Sequence, residues 1–121
     1  MNREEVIAKW NSMQPQERDI WIATDVMGYK ADRVRPGMVI NSKGYSTAPA
    51  MYSADISAAW EVLEKPKIMD RIQIGLYPTS FGKWIARPYM AGYENCRVQA
   101  DSGPEAICLA ALIAQGEGIT E

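Results

Sequence analysis

Read by the spacing of its apolar and polar positions, the chain opens on two helices. "NREEVIAKW" begins with Asn2, whose side chain suits an N-cap, and sets Val6, Ile7 and Trp10 on one side. "QPQERDIWIATDVMG" carries Pro15 near its start and Gly28 at its end, with Ile20, Ala23 and Met27 as its apolar stripe. Residues 29–53 are less regular: "MVI" at 38–40 predicts a short strand, "NSKG" a turn, and "YSTAPAM" an irregular run holding Pro49. The clearest helix follows in "YSADISAAWEVLEKP". Ser53 suits the N-cap, and Asp55 in the first turn favours the positive end of the helix dipole. Ile56, Ala59, Trp60 and Leu63 form a stripe at i, i+3, i+4 and i+7, and Pro66 stops the helix near Glu64 or Lys65. Such a helix needs a flat apolar surface to lie on.

The next segment supplies one. "RIQIGLY" alternates, with Ile72, Ile74 and Leu76 on one face and Arg71, Gln73 and Tyr77 on the other. "PTSFG" reads as a hairpin loop. "KWIARPYM" puts Trp84, Ala86 and Met90 opposite Lys83, Ile85, Arg87 and Tyr89, and Pro88 predicts a bulge or early end. "CRVQA" sets Cys96, Val98 and Ala100 against Arg97 and Gln99. The last helix opens on "SGPE", a capping box of Ser102 and Glu105, and Gly116 is placed to end it. Its "AICLAALIA" is apolar nearly all round, which predicts deep burial. The sum is one α+β domain over residues 1–121: a helical part at 2–28, a small antiparallel sheet with two packing helices at 29–116, and a tail at 117–121. The expected shared core is Ile56, Trp60, Leu63, Ile72, Ile74, Trp84, Val98, Ile107 and Leu112. Trp10 and Trp21 are open to either a core or a subunit-interface role.

Together "VMGY" at 26–29, "YSADISAAWEVLEK" at 52–65, Trp84-x-Ala86 and "PEAICLAAL" at 104–112 resemble the phage ABA-sandwich domain family. The resemblance implies a sheet packed with helices as an α-β-α sandwich, and a phage protein acting inside a bacterium. It implies no catalytic residues. Where the family usually carries a basic residue after the cysteine, this chain has Leu109, a candidate subunit contact.

Composition narrows the chemistry. The net charge is -2, and there is no histidine, so general acid-base work at neutral pH would need a perturbed carboxylate, lysine or tyrosine. Only Cys96 and Cys108 are present, which disfavours a zinc site and reads as buried free thiols rather than a disulfide. No Gly-rich phosphate loop or nucleophile elbow occurs, "DSG" at 101–103 reads as a helix start, and Asp25 reads as a helix-face carboxylate. The expectation is a non-enzymatic protein without cofactor or metal. The longest apolar run, "AICLAALIA", is too short to span a bilayer, and no signal-peptide core is evident, so the host cytoplasm is expected.

Charge is uneven, and this matters more. Residues 65–97 hold six basic residues against Asp70 and Glu94, whereas from Val98 onward every charge is acidic. Arg71, Arg87 and Arg97 share the polar sheet face with Tyr77 and Tyr89, and Phe81 sits in the hairpin loop, either tucked under it or exposed for stacking. That face is solvated, paired with acids, or a binding surface on which guanidinium groups hold phosphate and rings stack on a base. Long nucleic acid would want more positive charge. Two functions follow. One is an oligomeric protein that sequesters a small nucleotide signal of bacterial immunity, such as a cyclic oligonucleotide or ADP-ribose derivative. The other is a protein-interaction module that inhibits a host protein or serves phage assembly.

Overall fold

A computed structural model describes residues 2–65, 68, 73–89, 92 and 97–118. Helix α1 (Arg3–Ser12) starts at the expected cap: the Glu5 amide donates to the Asn2 side chain at 2.9 Å, and Glu5 reciprocates on the Asn2 amide at 3.0 Å. Helix α2 (Pro15–Trp21) has Pro15 in its first turn, where the missing N–H costs nothing. It does not run on unchanged to Gly28. Residues Ile22–Val26 widen into a π-helical turn, and Gly28, at φ 84°, takes the left-handed conformation that ends it.

Three two-residue strands follow, β1 (Lys30–Ala31), β2 (Val39–Ile40) and β3 (Ser46–Thr47), paired antiparallel in that order. The "MVI" strand and the turn at Asn41 are as expected, and the run read as irregular supplies β3. Helix α3 (Ile56–Leu63) is capped by Asp55, which accepts from the Ser57 amide at 2.9 Å. Ser53, the expected cap, is instead buried two residues upstream. Its amide and hydroxyl both donate to one carboxylate oxygen of buried Asp19, at 2.9 and 2.8 Å. That contact ties α2 to the entry of α3.

The main sheet is β4 (Ile74–Pro78), β5 (Trp84–Pro88) and β6 (Val98–Ala100), antiparallel in sequence order. The hairpin between β4 and β5 closes where the Thr79 amide donates to the Lys83 carbonyl at 2.7 Å. Ile74, Leu76, Trp84, Ala86, Val98 and Ala100 face helix α4 (Gly103–Gly118), as the alternation predicts. Ser102 caps α4 through the Glu105 amide, and the helix continues past Gly116 rather than ending there.

Helix α4 is the centre of the molecule. The sheet packs on one side, and α1, α3 and the π turn pack on others. Residues 106–114 are all buried, and the many alanines among them let neighbours approach closely on every side. Trp10, Trp21, Ile22, Val26, Val39 and Val62 complete the core, so both early tryptophans are core residues. Burying each such aliphatic side chain stabilises by about 1.5–3 kcal/mol.

The expected core needs correction on one helix. Val98, Ile107 and Leu112 are buried, and Leu63, Ile74 and Trp84 pack at its edge, but Ile56 is 49% exposed and Trp60 54% exposed. Helix α3 turns its small residues Ala58 and Ala59, with Val62, onto α4 instead. Two alanines allow a closer approach than an indole would. Leu109 is likewise not a free subunit contact: it is buried, on the central helix that α1 covers. Ile72 lies outside the described residues.

Candidate ligand-binding face

Strand register decides what stands together on the sheet's outer face. Tyr77 pairs with Ile85 and Ile85 with Gln99, so these three form one row. Ile85 is buried although it points away from α4, with Tyr77 and Gln99 flanking it in register. In the next row Gly75 pairs with Arg87, and the same register carried one residue beyond β6 sets Arg97 opposite Arg87. Both guanidinium-bearing residues are exposed, and among the described residues neither has a carboxylate partner. Like charges placed opposite each other on one sheet face are destabilising unless an anion joins them.

Tyr89 stands one row on, opposite Gln73, and leans its ring back over this one. Its ring lies directly over Gly75, where a Cβ would collide with it, and the Arg87 guanidinium stands 5.9 Å from the ring centre. The glycine therefore gives the ring its seat, while the ring stays 64% exposed. Tyr89 also borders a cleft of about 340 Å³ lined by Trp60, Leu63, Gln73 and Ile74. Two exposed rings, one amide and an adjacent guanidinium thus converge at the start of β4.

Of the residues singled out from sequence, Arg87, Arg97, Tyr77 and Tyr89 occupy this face, with Tyr77 half-buried. Phe81 stands apart at the hairpin tip, 88% exposed rather than tucked under its loop. Arg71 and Cys96 lie outside the described residues. Trp60 was missed. Its helical spacing is that of a core residue, and only the alanines beside it hint that another face of α3 is buried.

Several polar groups elsewhere are committed to structure. Arg18 and Arg3 line a second cleft of about 310 Å³ beside α1. Arg18 donates to the Trp10 carbonyl at 2.9 Å, faces Glu105 at 3.6 Å and lies 4.6 Å from the Trp10 ring centre. Asp25 accepts from the Trp21 indole at 2.8 Å. Lys83 pairs with Asp101, whose carboxyl is held below its usual range chiefly by that hydrogen bond. The Cys108 thiol donates to the Tyr52 carbonyl at 3.3 Å, and burial pushes its pKa far up, so it is a weak nucleophile.

The model of the phage ABA sandwich domain matches residues 20–112. The chain belongs to this family. Its fold is also similar to a solved phage protein from Bacillus cereus ATCC 14579, at 25% identity and a TM-score of 0.67, over 84% of this chain and 92% of that one. Among curated proteins nothing matches. The match spans α3, the main sheet and most of α4, so the ABA-sandwich elements include both sides of the aromatic cleft. No described helix is long and apolar enough to cross a membrane.

Proposed function

We propose that this phage ABA-sandwich protein is a non-enzymatic binder that sequesters a small nucleotide signal in the host cytoplasm. One observation carries the reading: Arg87 and Arg97 lie opposite each other, without a carboxylate partner among the described residues, beside an exposed tyrosine ring seated on glycine. A phosphate between the guanidinium groups would relieve their repulsion through charge-assisted hydrogen bonds. A base stacked on Tyr89, at the mouth of the Trp60 cleft, would add about 1–3 kcal/mol. A phosphate held close to a stacked base is a feature that ADP-ribose derivatives and cyclic oligonucleotides both offer.

The test begins with heat release. Denatured protein from infected or signal-producing cells should free a nucleotide detectable by mass spectrometry. Calorimetric titration with ADP-ribose and a panel of cyclic oligonucleotides should then show that Arg87→Ala and Arg97→Ala each lose roughly ten- to a hundred-fold in affinity, with folding stability little changed. If a nucleotide binds and neither substitution weakens it, this face is not the site. A second reading, a protein-interaction module, is favoured by the exposed Ile56, Trp60 and Phe81. Absence of any bound nucleotide, with a host protein captured through Trp60, would establish it instead.

A further inference from the structure

Strand β4 ends the sheet, and its outer edge is open among the described residues. The Thr79 amide bonds to Lys83, and the Tyr89 amide to the Gln73 carbonyl at 3.1 Å, so the odd-numbered residues of β4 spend their backbone groups on β5. The N–H and C=O of Ile74 and Leu76 therefore point outward. We propose that this edge pairs antiparallel, about a two-fold axis, with β4 of a second copy, and that the hairpin tip carrying Phe81 then lies against that copy's aromatic cleft.

"IGLYP" carries no charge that would repel a second copy, and of its outward-facing residues only Pro78, at its end, has no N–H to give. Shape favours a second copy over a foreign strand. Antiparallel pairing lays the end of one strand beside the start of the other, and here the cleft lies at the start while Phe81 follows the end. The chain thus carries both a projecting ring and an apolar hollow, which one symmetry operation joins. Exposed parts of Ile56, Trp60 and Phe81 come to roughly 400 Å² by ordinary side-chain areas, and the strand edge brings this toward the ~600 Å² per partner at the lower end of specific interfaces, with the Tyr89 ring left free.

Alternation fixes the relative facing. With both α4 helices on one side of the joined sheet, the two Arg87–Arg97 rows share the other. The added hairpin walls the cleft beside Tyr89. That last step rests on the nucleotide reading above, whereas the strand pairing does not.

The experiment is light scattering over a concentration series, without nucleotide, on wild type, Phe81→Ser and Trp60→Lys. Both sites are exposed, so circular dichroism should confirm an unchanged fold. Wild type is expected at twice its 13.5 kDa chain mass, and each variant should dissociate at least ten-fold more readily. A wild type that stays monomeric at high micromolar concentration overturns the proposal, as does a dimer that neither variant weakens. A dimer weakened by both that binds no nucleotide upholds the pairing and rejects only the ligand reading. Tight nucleotide binding by a permanent monomer does the reverse.

Discussion

Replacing Asp19 by alanine should unfold this protein more readily than most substitutions at charged positions. Asp19 and Ser53 are each only 5% exposed, and one carboxylate oxygen accepts both the amide and the hydroxyl of Ser53. Losing the carboxylate leaves two buried donors without an acceptor, at about 1–3 kcal/mol each. Relief of the carboxylate's own desolvation offsets part of that, so the net loss should be about 2–4 kcal/mol. Ser53→Ala removes only the hydroxyl bond and keeps the amide one, and should cost about 1–2 kcal/mol. Because the two side chains share one contact, the double variant should lose less than the sum. Urea denaturation of the four proteins by circular dichroism measures all three quantities. An Asp19→Ala loss below ~1 kcal/mol, or strictly additive losses, would refute the view that this pair fastens α2 to α3.

The tryptophans make a second contrast: Trp10→Ala should cost about 3–5 kcal/mol, and Trp60→Ala about 1 kcal/mol or less, at concentrations where both variants are monomeric. Equal losses would mean that α3 is not rotated as described. Alkali should weaken the fold. Burial, chiefly, raises the Tyr52 phenol to about 12 and also raises the Cys108 thiol, so the folded chain keeps protons that the unfolded chain gives up. The stabilisation is whole below the ordinary thiol and phenol values and fades as pH climbs past about 9 and then 10, at about 1.4 kcal/mol per pH unit for each such group. Urea midpoints should fall over that interval, and Tyr52→Phe should flatten the upper part. A midpoint that holds level would contradict the burial of both groups.

Much of the fold was legible because it rests on local chemistry. Asn2, Pro15, Gly28 and Ser102 act where helix punctuation places them, and the period-two alternation puts Leu76, Ala86 and Val98 on the α4 side. What misled was the assumption that the most hydrophobic stripe of a helix faces inward. On α3 the choice turned on how closely the backbone approaches α4, so Ala58 and Ala59 prevailed over Trp60. Ser53 was misread because its partner Asp19 is 34 residues away, beyond any local pattern. For the site, parity along β5 sufficed to put Arg87 and Tyr89 on one face, but only the register revealed Arg97 opposite Arg87, and only the glycine contact revealed the ring's seat. The π turn at Ile22–Val26 left no sequence signal that distinguishes it from an ordinary helix end.

Helix α4 has a consequence for the birth of the molecule. Every element that packs on it precedes it in the chain, and synthesis runs from the N-terminus at about 5–20 residues per second. Until residues 103–118 leave the ribosome, α1, α3 and the main sheet have apolar faces but nothing to lay them on. The growing chain therefore passes several seconds as a collection of half-made surfaces and closes only when its centre arrives. A ribosome stalled at residue 102 should hold a nascent chain that proteases cut freely, and release of the chain with residues 103–118 added should protect nearly all of it at once.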